Sequence, residues 1–208
     1  MNFRQTVLQE GMNIFQQYGI RNLSMEAILT HLDISKGTLA GIARTKAELL
    51  DLCIEETLER RKEELAAIIE EADNAVEAVM ELTKVHLKSL AGHHPDFFPD
   101  LKNEYQPSWA KVQLFSDKYM LAYLTELFNL GKEQELFKAD IDGKMLSQLF
   151  LIQTNSVVEA GLLQNPDENF DAVFKMAFEL YLSGLLTPKG LQLLQELTTT
   201  ENVALKFV

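Results

Sequence analysis

The stretch HLDISKGTL, residues 31–39, lies between two short predicted helices near the start of the chain. Ser24 is a good N-cap for the first of them, and Ser35 is an N-cap for a shorter helix over about residues 36–43. A longer helix that begins near Phe3 precedes both. Three helices within the first 45 residues, with the second and third joined by a tight turn, indicate a helix-turn-helix unit.

The residues after this turn have the chemistry that DNA binding needs. Ser35 can contact a phosphate through its hydroxyl and the free N–H groups of the helix N-terminus. Lys36 supplies a charge or a base contact, Gly37 lets the backbone approach a groove, and Thr38 can bond to a phosphate or touch a thymine methyl. The alternative is an ordinary capped surface helix, which the flanking pattern disfavours.

The rest of the chain also has helical patterning. A capping-box pattern at Thr45-Lys46-Ala47-Glu48 begins a long helix. Two further long helices are predicted at about Asp142–Leu163 and Glu168–Leu186, and a short one after Pro188. No sustained alternation of period two and no hairpin turn indicates a strand. The predicted fold class is therefore all-α, with a head at 1–45, a connecting helix at 46–72 and a helical body at 73–208.

Charge and composition limit the classes of function that the protein can have. The 208 residues carry a net charge of −12, yet residues 1–50 hold five basic and four acidic residues. A near-neutral head on an acidic body is incompatible with nucleic-acid binding over the whole surface. The chain has a single cysteine, and it lacks both a signal-peptide pattern and an apolar stretch long enough to span a bilayer. We therefore expect a cytoplasmic protein without a membrane partner.

Several segments of the first 50 residues resemble the head of tetracycline-repressor (TetR/AcrR) family regulators, in order and with similar spacing. They are Ile14-Phe15, Tyr18-Gly19, Leu23-Ser24-Met25, residues 34–39 (ISKGTL) and residues 45–50 (TKAELL). The resemblance covers roughly residues 4–50. Gly131 with Leu136-Phe137-Lys138-Ala139-Asp140 resembles a weaker recurring pattern of that family's C-terminal domains.

The resemblance implies a helix-turn-helix DNA reader followed by a ligand-binding and dimerisation bundle. The protein would be a homodimer formed through its last two long helices, and it would bind a palindromic operator as a repressor. A small-molecule effector, partly apolar, would release the DNA. Phosphate contacts would come from Ser24, Ser35, Thr38 and Lys46, and base contacts from Lys36, Gly37 and Thr38. Lys46 stands where the family has a phosphate-contacting lysine, whereas Arg4 and Arg21 are interpreted as solvated charges.

One segment departs from the family pattern. Where the family usually has a tyrosine and a phenylalanine after the Thr-Leu pair, this chain has Ala40-Gly41-Ile42-Ala43. This departure and the low charge of the head leave a second hypothesis open. On that hypothesis the protein is a helical dimer of the same kind that binds a small molecule or a protein and has little specific affinity for DNA.

Candidate effector-binding residues are found from their aromatic and polar character. Rings with polar tips need partners when they are buried, and pockets form between the helices of such bodies. The candidates are Phe98, Tyr105, Trp109, Tyr119, Tyr123 and Gln153. An aromatic stripe at helical spacing is also what an ordinary core contains, and Gln153 could instead bond across a dimer seam.

Other chemistry finds little support in the sequence. His86, His93 and His94 have no carboxylate or cysteine at a recognised ligand spacing, so we expect no metal site. The phosphate-binding, dinucleotide-binding, nucleophile-elbow and zinc-protease motifs are missing. We therefore expect no cofactor and no enzymatic activity.

Overall fold

A computed structural model describes residues 2–90, 93–159, 178 and 180–200. Over these ranges the chain is helical and has no strand, apart from one isolated antiparallel bridge between Phe137 and Leu186. The prediction of an all-α fold is confirmed. The helices are α1 (Phe3–Tyr18), α2 (Met25–Leu32), α3 (Lys36–Ala40), α4 (Lys46–Glu71), α5 (Ala75–Leu90), α6 (Phe97–Glu104), α7 (Gln106–Leu114), a π-helix (Phe115–Met120), α8 (Leu121–Glu133), α9 (Gly143–Glu159) and α10 (Pro188–Thr200).

The predicted helix ends near the N-terminus are largely confirmed. The Ser24 and Ser35 hydroxyls accept hydrogen bonds from Ala27 N and Thr38 N, respectively, at 3.1 Å. Gly19 has a φ of 77° and ends α1. The third helix is shorter than predicted: it ends at Ala40, and the turn that follows donates two N–H groups to the carbonyl of Leu39.

Two other predicted helices differ in their details. Between α7 and α8 the chain forms a π-helix, a change of pitch that the sequence pattern did not indicate. α9 begins at Gly143, and its predicted continuation after residue 159 lies outside the described residues. Of the helix predicted at Glu168–Leu186, residues 178 and 180–185 are described and are helical.

The chain divides into two compact units. Unit 1 comprises Met1–Glu63 and Gly92–Lys118, and unit 2 comprises Glu64–Ala91 and Tyr119–Val208. This division reflects packing, whereas the boundaries predicted after residues 45 and 72 concern function and stay predictions. In unit 1, the three helices of the head pack against the start of α4 and against α6 and α7, and together they form one hydrophobic core.

The core of unit 1 explains how the head folds without the aromatic residues of the family pattern. Ala43 is buried, and Ile42 packs against the core. Phe97 and Leu101 of α6 are fully buried in the same cluster. The other large, fully buried side chains of this cluster are Leu8, Phe15, Ile20, Ile28, Leu39, Leu49, Leu50 and Ile54. The apolar volume of the head thus comes from the head itself, from α4 and from α6.

A buried carboxylate joins α6 to the loop between α1 and α2. Asp100, which is 1% exposed, accepts hydrogen bonds from Arg21 N at 2.8 Å and Arg21 Nη2 at 2.9 Å. Glu104 pairs with Arg21 Nε at 2.8 Å. These carboxylates, Glu104 first and then Asp100, raise the pKa of Arg21. Arg21, interpreted from the sequence as a solvated charge, is therefore paired with two carboxylates, although its side chain remains 64% exposed.

In unit 2, a glycine lets two segments approach closely. A Cβ at Gly131 would lie 2.1 Å from Phe137 Cδ2, which no side chain could occupy. The carbonyl of Gly131 also accepts hydrogen bonds from Leu136 N and Phe137 N. Phe137 packs edge-on against Phe128 at a centroid distance of 5.4 Å. The Gly131 and Leu136-Phe137 pattern of the sequence is thus a packing requirement of unit 2.

Replacing Asp100 tests the link between α6 and the loop. Asp100→Ala leaves the backbone N–H of Arg21 without this acceptor, and we expect it to lower the free energy of unfolding by about 1–3 kcal/mol. The exposed pair partner gives a matched control: Glu104→Gln should cost less than about 1 kcal/mol. Urea unfolding followed by circular dichroism measures both. Equal losses in the two variants would contradict a special role for the buried carboxylate.

The burial of Cys53 gives a second prediction. Burial raises the pKa of the Cys53 thiol to about 12, from a value of 9.0 in the unfolded chain. Because the thiolate is the reacting species, the native protein should react with iodoacetamide far more slowly than the urea-unfolded protein at about pH 8. Above pH 9 the unfolded thiol ionises while the folded one does not, so this group lowers stability as the pH rises towards 12. Equal alkylation rates in the two states would exclude a buried thiol.

Candidate functional site

The N-terminal residues of α3 form an exposed face. Ser35, Lys36, Gly37 and Thr38 are all exposed, whereas Leu39 is buried in the core of unit 1. Ser35 Oγ lies 2.8 Å from Thr38 Oγ1, so the two hydroxyls share a hydrogen bond beside the cap. The helix is therefore anchored through Leu39, and the four preceding residues are directed away from that anchor.

Gly37 is not required by packing within the head. A Cβ at this position would meet only Ser35 Oγ, at 3.7 Å, which is an ordinary contact distance. The helix therefore does not need a glycine here for steric reasons. The absent side chain instead leaves the outer surface of α3 flat beside Lys36, which permits a close approach from outside.

Ser24 has the same capping role at the start of α2. Its side chain is exposed, and its hydroxyl accepts the bond from Ala27 N described above. Capping occupies the oxygen as an acceptor and leaves the hydroxyl hydrogen as a donor. The capping interpretation of Ser24 is thus confirmed, and it is compatible with a phosphate contact.

Lys46 has partners inside unit 1. Its ammonium donates to the carbonyl oxygen of Ile20 at 3.0 Å and to that of Leu23 at 2.9 Å. Both carbonyls belong to the loop between α1 and α2, and the lysine is half-buried. Sequence reasoning missed these bonds because nothing local to residue 46 indicates that residues 20 and 23 lie beside it.

The six predicted effector residues divide between the two units. Phe98, Tyr105 and Trp109 are half-buried and pack against the core of unit 1. Phe98 also stacks on His93 at a centroid distance of 5.2 Å. In unit 2, Tyr119 and Tyr123 are half-buried and Gln153 is exposed. Their assignment to one effector pocket stays a prediction.

Unit 2 contains a cavity that the sequence did not indicate. It has a volume of about 340 Å³, and none of the six predicted effector residues lines it. Four apolar side chains, three carboxylates and one ammonium line it, and the carboxylate of Glu81 lies 3.5 Å from the ammonium of Lys84. The lining residues are Ile68, Glu71, Ala72, Glu77, Met80, Glu81, Lys84 and Leu197. A search for aromatic residues could not find it.

Two further sequence-based expectations concern metals and membranes. In the described ranges, no group of three or more His, Cys, Asp or Glu side chains is placed to hold a metal ion. Among the helices of those same ranges, none is long and apolar enough to cross a bilayer.

Comparison with known proteins was made by sequence and by structure. No protein-family model and no curated protein sequence matches the chain. Among solved structures, FadR from Bacillus subtilis in complex with stearoyl-CoA matches with a TM-score of 0.67 and 17% identity, covering 88% of this chain and 99% of that one. A TetR-family transcriptional regulator from Cytophaga hutchinsonii matches with a TM-score of 0.70 and 14% identity, over 88% and 94% of the two chains.

A third structure contains DNA. It is AibR in complex with isovaleryl coenzyme A and operator DNA, with a TM-score of 0.54, 16% identity, and coverage of 75% of this chain and 85% of that one. At such identities the likeness concerns the fold. The chain described here has the helical fold of TetR/AcrR-family transcriptional regulators, with a helix-turn-helix head.

Proposed function

We propose that the protein is a ligand-responsive transcriptional regulator that binds palindromic operator DNA as a homodimer and is released by a small molecule. The observation that carries the proposal is the face of α3 where Ser35, Lys36, Gly37 and Thr38 are all exposed, while Leu39 anchors the helix in the core. The fold supports it, because the similar structures are those of transcriptional regulators, one of them bound to operator DNA.

Each residue of this face has a distinct role in the proposal. Lys36 and Thr38 reach base edges in the major groove, where lysine pairs with guanine acceptors and a threonine methyl can touch thymine. Gly37 lets the backbone approach. Ser24 and Ser35 donate their hydroxyl hydrogens to phosphates at the starts of α2 and α3.

An exposed apolar stripe on α9 supports the homodimer. Met145, Leu149 and Ile152 are 70%, 45% and 62% exposed. Their spacing of four and three residues places them on one face of the helix. Leu180, in the helical residues 180–185, is 69% exposed. Large apolar side chains gathered on one face mark an interaction surface, and a self-complementary patch is the usual basis of a two-fold dimer.

The proposed effector is a partly apolar small molecule bound in the helical body. Two of the similar regulators are bound to acyl-coenzyme A thioesters, which combine an apolar chain with a polar head. The proposed pocket residues are Tyr119 and Tyr123 of unit 2, with Gln153 as a polar contact. We further propose that the protein acts in the cytoplasm and has no catalytic activity.

The second candidate function has its own supporting observation. Ala40-Gly41-Ile42-Ala43 stands where the resembled family pattern has a tyrosine and a phenylalanine, and the first 50 residues carry only one net positive charge. Such a head has few means of binding phosphates. On this candidate, the protein is a dimeric binder of a small molecule or a protein, without specific DNA affinity.

Selection from a library of random DNA duplexes separates the two candidates. The proposed regulator should enrich an inverted repeat whose half-sites lie about 34–36 Å apart. Fluorescence anisotropy from about 50 to 200 mM salt should then show a preference for that repeat over scrambled DNA of about 10³ or more. Lys36→Ala should weaken the specific complex by about 1–3 kcal/mol, whereas Lys102→Ala, an exposed lysine of α6, should not. Failure to enrich any repeat favours the second candidate.

Charge introduced into the apolar stripe tests the dimer. Met145→Glu combined with Ile152→Glu would bury carboxylates in the proposed interface, and we expect the double variant to be monomeric and still helical. Gln113→Glu introduces a carboxylate at an exposed residue of α7 in unit 1, away from the stripe on α9, and should leave the dimer intact. Light scattering after gel filtration gives the mass of each species. A monomeric wild-type protein, or a double variant that remains dimeric, would contradict the proposed interface.

A further inference from the structure

The loop between α1 and α2, residues 19–24, is held by side chains from outside the three helices of the head. From α4, Lys46 donates to the carbonyls of Ile20 and Leu23 at 3.0 and 2.9 Å. From α6, Asp100 accepts from the backbone N–H of Arg21 at 2.8 Å. The ammonium of Lys46 thus satisfies two backbone carbonyls of this loop, and the carboxylate of Asp100 satisfies one of its backbone N–H groups.

A third contact fixes the start of this loop. The backbone N–H of His94 donates to the carbonyl of Gln16 at 2.6 Å, in the last turn of α1. The imidazole of His94 then lies against Gly19, where an added Cβ would be 2.9 Å from Nδ1. With a φ of 77°, Gly19 also adopts a backbone conformation that suits glycine. The loop is therefore constrained at its beginning and along its length.

Lys46 can affect DNA binding through Ser24, the residue at the end of this loop. The Leu23 carbonyl directly precedes Ser24, the N-cap of α2 and a proposed phosphate contact. Moving Leu23 would move this hydroxyl and the first N–H groups of α2. Because α2 has only 8 residues and α3 only 5, neither helix can hold its position without such support.

We propose that Lys46 is a positioning residue for DNA binding, and that its ammonium clamps the α1–α2 loop instead of contacting a phosphate. The inference rests on the proposed DNA-binding function. It assigns the lysine a role that differs from the one the family resemblance implies. Two of the three ammonium donors are used by the loop, and turning them to a phosphate would leave the carbonyls of Ile20 and Leu23 without this partner.

The two roles differ in how binding responds to salt. A lysine that neutralises a phosphate releases a counterion, so its loss makes the slope of log K against log salt shallower by about 0.9. A lysine that only positions the loop contributes nothing to that slope. Its loss weakens binding by the same factor at every salt concentration. The positioning role also predicts a change in the free protein, because the loop loses its clamp before DNA is present.

The experiment compares three variants on the selected operator. Lys46→Met keeps the aliphatic stem and removes the ammonium. Asp100→Asn weakens the opposite side of the clamp at a buried acidic residue that cannot be a phosphate ligand. Lys36→Ala removes an exposed lysine of the proposed contact face. Anisotropy gives affinity and salt slope, and hydrogen exchange followed by mass spectrometry reports on residues 19–24 in the DNA-free proteins.

The clamp predicts that Lys46→Met resembles Asp100→Asn. Both should lose about tenfold in affinity at every salt concentration, keep the wild-type slope, and exchange the amides of residues 19–24 faster than the wild type. Lys36→Ala should leave exchange in this loop unchanged. A slope made shallower by about 0.9 in Lys46→Met, with unchanged loop exchange, would establish a phosphate contact and overturn the proposal.

Failure of the function and failure of the inference give different results. If the wild-type protein enriches no DNA sequence, the proposed function fails and the positioning role fails with it. If the wild type binds specifically and Lys46→Met matches it in affinity, slope and exchange, only the clamp is overturned. Circular dichroism melts identify a variant that does not fold, and in that case Asp100→Asn alone decides whether constraint of the loop controls affinity.

Discussion

The head of this protein depends on tertiary support for two very short helices. α2 has 8 residues and α3 has 5, which is well below the length at which an isolated helix is stable in water. Serine caps satisfy part of their free N–H groups. Most of their stability must come from burial, through Ile28 in α2 and Leu39 in α3, both fully enclosed. The positions of the exposed residues of α2 and α3 therefore depend on the burial of these two side chains.

The same constraint explains why unit 1 contains a segment from the middle of the chain. The three head helices alone have only Ala43 at the position where the family pattern that the sequence resembles has a phenylalanine. Phe97 and Leu101 of α6 add apolar volume to the core. The polar counterpart of that packing is Asp100, which lies one residue before Leu101 and binds the α1–α2 loop. Apolar packing and polar clamping thus come from the same turn of α6.

Sequence reasoning predicted the local features well. The caps at Ser24 and Ser35 and the start of a long helix at the capping box of residues 45–48 are in the structure as predicted. The end of α3 and the π-helix before α8 were not predicted. The candidate effector residues were chosen by residue type alone, and they lie in two different units. Residue type indicates what a side chain can do but does not identify its neighbours.

The sequence by itself determined the helical class, the helix starts and the chemistry of the proposed contact face, because each depends on interactions within about four positions along the chain. Only the tertiary structure decided that Lys46 holds a loop 23 to 26 positions earlier, and that Arg21 meets a carboxylate 79 positions later. Such pairs form because burying apolar side chains brings distant segments together. The polar groups carried along must then find partners in whatever surroundings that packing creates.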